Sequence, residues 1–177
     1  MTLLAIGLAF LPGFAWLFFY LQEDLHPEPK RVIAKTFLAG GVFAFMALLV
    51  ELSIDCGFVQ GFQNCGAEDV EPLAAIPFFL IIFALIEEVF KFGAAYFTVR
   101  KSPAFNEPVD AMIYTVVASL GFATLENFGA LNLDRPGETI VLSNALEIIS
   151  LRFIGATLLH TLTSGVVGYY WARSIRA

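Results

Sequence analysis

"ALIEEVFKF", residues 84–92, sets two adjacent glutamates and, one turn later, a lysine into a run that is otherwise apolar. The run reaches from Leu73 to Val99. That is more than the ~20 residues a helix needs to cross a ~30 Å hydrocarbon layer. On the most lenient scale a charge facing lipid costs at least ~2.5 kcal/mol, so Glu87, Glu88 and Lys91 must face protein or water. The stretch therefore implies a polytopic membrane bundle with a polar interior.

The rest of the chain agrees. Of its 177 residues 58% are hydrophobic, 15% are charged and 19 are phenylalanine. The mean hydropathy is +0.77. These values lie beyond the range of soluble domains. Five spans are predicted, at Thr2–Gln22, Val32–Ile54, Leu73–Val99, Val109–Leu131 and Leu151–Trp171. The first lacks the basic start and small-residue exit of a cleaved signal peptide and reads as a retained anchor. "ETIVLSNALEIIS", before the fifth span, has helical spacing but is too short to cross, so it is expected as an interfacial or re-entrant helix. The expected fold is all-α: about five transmembrane helices plus a short interfacial one, in one membrane domain over residues 1–177. The net charge of −6 and the lack of a basic stripe exclude nucleic acid as a partner. The lipid bilayer is the environment.

Short cytoplasmic loops concentrate Lys and Arg. Lys30, Arg31 and Lys35 follow span one, Arg100 and Lys101 follow span three, and Arg173 and Arg176 follow span five. The segment Asp55 to Pro72 has four acids and no base, and the last alternate loop has Arg135 alone. The expected topology in the cell membrane is N-terminus outside, C-terminus cytoplasmic. Both cysteines, Cys56 and Cys65, fall in the acidic outer loop. There they are either a disulfide or two free thiols.

At ~1.5 Å per residue, Glu87 and Glu88 lie about 20 Å from Arg100, His160 about 20 Å from Arg173, and Glu126 about 25 Å from Val109. Three helices thus carry ionisable groups to one level in the outer half of the membrane. Lys91 shares the face of Glu87 and Glu88 and can neutralise one of them. Carboxylates beside a histidine can divide the roles of general base and acid around a bound water. Ser164, one turn from His160, is the only serine near an intramembrane histidine and makes a poor nucleophile without further partners.

"EEVFK", "FNEPVDAMIY", "LGFATLEN" and "LLHTLTSGVVGY", in that order over residues 76–170, resemble the motifs of PrsW-type intramembrane proteases. That family is in turn similar to the type II CAAX prenyl endopeptidases, whose sites use a paired glutamate on one helix and histidines on two others. The resemblance implies that Glu87, Glu88, Glu126 and His160 are catalytic, with Lys91, Asn127 and Ser164 in support. Glu126 stands where the prenyl enzymes have a histidine, and Ser164 where they have asparagine. It implies a membrane endopeptidase in which Glu87 or Glu88 activates water and His160, with Asn127 or Ser164, stabilises the oxyanion. The implied substrate is a single-span membrane protein such as an anti-sigma factor, cut on the outer side. The prenyl-enzyme resemblance points to a metal-free glutamic mechanism needing no cofactor. The same donors suit Zn2+ with an open position for water.

Other readings stay beside these. A small proton or cation transporter also uses membrane acids and histidine, although no inverted repeat is visible. Glu88 with Lys91 is also explained as an ion pair that locks helix packing. Asp110 and Glu107 read as a helix cap with Pro108 in the first turn, and Tyr114 is placed to bond to Asp110. Arg152 and Glu147 read as interfacial, with Arg152 a possible holder of substrate backbone or headgroup. Glu51 either snorkels or lines a cavity mouth. His26 has no nameable partner. Gly40, Gly93, Gly121, Gly165 and Gly168 read as close helix packing.

Overall fold

A computed structural model describes residues 3–22, 26–57, 76–132 and 142–176. They form α1 (Leu3–Gln22), α2 (Lys30–Asp55), α3 (Pro77–Val99), α4 (Asp110–Asn132), α5 (Leu142–Arg152), a π-helical turn (Phe153–Thr157) and α6 (Leu158–Arg176). Among the described residues there is no strand. Five helices of 19 to 26 residues are joined by the shorter α5, as a helical membrane bundle requires. α2, α4 and the continuous α5–α6 rod are long and apolar enough to cross a bilayer. α3 has the length, but its central charges raise its polarity, the mark of a helix that brings chemistry into the membrane. Cys56 is disulfide-bonded. Cys65 and Arg135 lie outside the described residues.

Prolines set two helix starts. Pro77 occupies the first position of α3, where a missing N–H goes unneeded. Before α4, Asp110 turns its Oδ2 back to accept the N–H groups of Asn106 (2.8 Å) and Glu107 (2.7 Å). Asp110 thus ties the preceding loop to the first turn of α4, and Pro108 sits just ahead of the helix rather than in its first turn. The Tyr114 hydroxyl donates to the Glu28 carboxylate, tying the α1–α2 connection to α4. His26, which sequence left without a partner, lies 3.6 Å from Glu107.

α4 is the axis of the bundle. Its most apolar stretch is 72% buried, against 22% for α2. It packs against α1, α2, α3 and α6. The sequence permits this because α4 is rich in small residues: Ala111, Ala118, Ser119, Gly121 and Ala123. Two glycines fix the α2–α4 seam. A side chain at Gly40 would strike the Ala118 carbonyl, and one at Gly121 the Phe37 carbonyl. Backbones this close gain dispersion contact, the main attraction left between helices in lipid. Leu38, Val42, Phe45, Leu85 and Val89 point outward, where lipid takes the place of a core.

The main difference from expectation lies between α5 and α6. The interfacial helix is not a separate piece. It runs without a break through the π turn into the last span, as one rod over Leu142–Ile175.

Candidate functional site

The ionisable groups of α3, α4 and α6, expected at one level, lie in contact with one another. Lys91, on α3 and 1% exposed, sits at the centre. Its Nζ donates to Glu87 Oε2 (3.1 Å), Glu88 Oε1 (2.8 Å) and, across the bundle, His160 Nδ1 (2.6 Å). On the other edge of the imidazole, His160 Nε2 lies 2.8 Å from Glu126 Oε2. One chain of polar contacts thus links α3 to α6 to α4.

The contacts also assign the histidine tautomer. An ammonium has donors and no acceptor, so Nδ1 must accept from Lys91. The ring proton then sits on Nε2 and is donated to Glu126. The Phe122 ring, whose centroid is 4.9 Å from Lys91 Nζ, covers the cation with a π face.

Glu87 and Glu88 have different surroundings. Both oxygens of Glu88 are held: Lys91 and Thr163 Oγ1 (2.8 Å) on Oε1, and Ser164 Oγ (3.0 Å) on Oε2. Glu88 is therefore a clamp between α3 and α6. Glu87 shares Lys91 but lines a cavity of about 370 Å3 together with Glu51, Phe122, Glu126, Gly129 and Arg152. A larger cavity of about 800 Å3 between α1, α4 and α6 is walled by Val109, Met112, Val116 and Val166. It holds none of the acids that surround His160.

Arg152, read from sequence as interfacial or as a holder of substrate backbone, also reaches the cluster. Its Nη2 donates to Glu126 Oε2 (3.0 Å) and its Nε to Asn127 Oδ1 (2.6 Å). Over the eight residues from Arg152 to His160 an ideal α-helix turns roughly 800°, leaving the two side chains about 80° apart. The π turn between them takes one extra residue, cutting the offset to roughly 20°. Both side chains thereby meet the same Glu126 oxygen. Asn127 is fully buried, with its carbonyl taken by Arg152 and its amide donated to Thr157 Oγ1 (3.4 Å). Ser164 and Asn127 thus hold neighbouring side chains in place and do not point their donors into the cavity. Thr163 and Thr157, also absent from the sequence reading, complete the shell.

One donor atom from each of Glu87, Glu126 and His160 forms a group within 4.8 Å of one another. Two carboxylates and an imidazole are a donor set that suits Zn2+. Around them, among the described residues, Glu51, Glu87, Glu88 and Glu126 face the cations Lys91 and Arg152, so two negative charges stay unbalanced there when the acids are ionised. The residues fit a divalent ion in donor type and charge. Ligation through His160 Nε2 would require the proton to move to Nδ1, against the ammonium of Lys91.

No solved structure matches the chain. The family model described as PrsW family intramembrane metalloprotease matches residues 28–177. Protease PrsW of Geobacillus kaustophilus is 30% identical over 174 residues, 98% of this chain and 67% of the relative. Protease PrsW of Halalkalibacterium halodurans is 29% identical over 94% of this chain and 67% of the relative. For that of Bacillus subtilis the identity is 25%, over 98% and 69%. The matched span holds every helix of the polar cluster, and with it this chain belongs to the PrsW protease family.

Proposed function

We propose that this protein is an intramembrane endopeptidase in which Glu87 activates the attacking water. The observation that carries the reading is the division of the glutamate pair. Glu88 is fully engaged as a clamp, while Glu87 faces the cavity beside His160 and Glu126. Glu87 takes a proton from water as the water oxygen bonds to the substrate carbonyl carbon. The carbonyl oxygen gains the negative charge. Arg152, which lines the cavity and retains N–H donors beyond those given to Glu126 and Asn127, is the cation placed to receive it. Glu87 then passes the proton to the leaving nitrogen as the C–N bond breaks. His160, fixed between Lys91 and Glu126, orients both acids.

The Lys91 contact with His160 Nδ1 favours a metal-free, glutamic course requiring no cofactor. The second reading rests on the donor group itself: Glu87, Glu126 and His160 would hold a divalent ion, which supplies Lewis acidity to a bound water. A transport role gains no support from the packing. Toward the basic helix ends Ile33, Phe37, Ala94, Ala95, Val117 and Leu120 form an apolar core.

We further propose a single-span membrane protein of the anti-sigma-factor kind as substrate, cut toward the outer face of the cell membrane. The side of the cut is supported by the basic ends of α2 and α3 and by the disulfide at Cys56, a bond at home in an oxidising compartment. The test is cleavage of a single-span reporter by purified protein, with Glu87→Gln, Glu126→Gln and His160→Ala expected to lose at least about 100-fold in rate. If all three cut as well as wild type, the protease reading fails. Chelator should leave wild-type cleavage intact, and loss restored by Zn2+ would establish the metal reading instead.

A further inference from the structure

Glu51 lies on α2, near the end away from Lys30, and lines the same cavity as Glu87, Glu126 and Arg152. It is not one of the donors grouped within 4.8 Å around His160. The other three acids of the region each have a cationic partner: Glu87 and Glu88 share Lys91, and Glu126 has Arg152. Among the described residues Glu51 has no such contact, and its Oε1 is buried without a hydrogen-bond partner there. A carboxylate oxygen withdrawn from water costs free energy until a donor or cation reaches the group. Among the described residues, the guanidinium on the cavity wall, that of Arg152, is already committed to Glu126 and Asn127. Small side chains at Ala44, Ala47, Gly129 and Ala130 leave room there for an incoming chain.

Resting on the protease reading above, we propose that Glu51 selects substrate by receiving a cationic Lys or Arg side chain of a peptide lying in this cavity. Three carboxylates on the wall attract such a group, and Glu51 is the one left to pair with it. An acidic side chain at the same place meets like charge, a strong source of discrimination in a partly dry site.

The experiment uses the purified full chain and single-span reporters that differ at one residue. The cut site is first located by mass spectrometry, and each of the three positions on either side is then changed in turn to Lys, Gln or Glu. At one or two positions wild type should favour Lys over Glu by at least about tenfold in kcat/KM. Glu51→Gln should flatten that ratio while cutting the Gln reporter within about threefold of wild type. Glu51→Lys should invert it, with thermal melting of each variant confirming the fold. Equal ratios in wild type and Glu51→Lys would overturn the inference. So would an equal loss on all reporters in Glu51→Gln, which would assign Glu51 to the chemistry or the fold. If wild type cuts the Gln reporter with no charge preference anywhere, only this inference falls; if wild type cuts nothing, the protease reading falls with it.

Discussion

Lys91 holds together charges that the cost of facing lipid turns inward. It is nearly inaccessible, and its three contacts span both glutamates of α3 and the imidazole of α6. Removing one partner of a buried pair costs about 3–5 kcal/mol. Glu87 and Glu88 keep 24% and 21% of their side-chain exposure, which places the expected cost of Lys91→Met at the lower end. The double variant Lys91→Met with Glu88→Gln should recover part of the loss, because one stranded charge has gone. Unfolding of the purified variants in a mixed-micelle denaturant series checks this. If Lys91→Met melts with wild type, the ammonium is not what stabilises the pair. At this scale the sequence was informative wherever a charge interrupted an apolar run, as at Glu87, Glu88, Lys91, Glu126 and His160. It was silent on which glutamate faces the cavity, since that depends on Thr163 and Ser164 arriving from a helix 75 residues away.

The π turn is the element on which the site's geometry depends. Sequence could show helical spacing on both sides of Phe153–Thr157 but not the wider turn between them, because i→i+5 bonding has no periodicity of its own in five residues. For that reason neither the contact of Arg152 with Glu126 nor the continuity of α5 with α6 was legible. Deleting Ile154 and Gly155 together leaves six residues from Arg152 to His160, roughly 600° of regular α-helix, and should swing Arg152 about 100° relative to His160. A side chain at Gly155 would meet nothing within 4 Å, so Gly155→Ala serves as the matched control. The deletion is expected to reduce reporter cleavage as far as Arg152→Ala does while the protein stays folded, and Gly155→Ala to cut normally. Deletion with full activity would separate the π turn from the chemistry. Two further positions show how element and residue are linked. Gly40 and Gly121 were read from sequence as packing glycines, and the α2–α4 seam admits no larger residue at either.

Across the whole molecule, charge sorts the two ends of the bundle. Lys30 and Arg31 open α2, Arg100 and Lys101 follow α3, and Arg173 lies in the last turn of α6, so antiparallel packing collects the bases at one end. The cavity lies toward the other end, with Glu51 near the close of α2 and Arg152 at the close of α5. If basic ends stay in the cytoplasm, the cavity must receive substrate from outside, and the fragment released should be the substrate's outer portion. A green fluorescent protein fused after Ala177 should therefore fluoresce, and alkaline phosphatase at the same position should be inactive. The reporter substrate, tagged at both ends, should yield an outer fragment that lacks most of its membrane segment. The reversed fusion result would point the cavity into the cytoplasm. The three-acid wall at Glu51 would then have to select among cytoplasmic chains, and the outer-face cleavage proposed above would be wrong even if the chemistry at Glu87 were right.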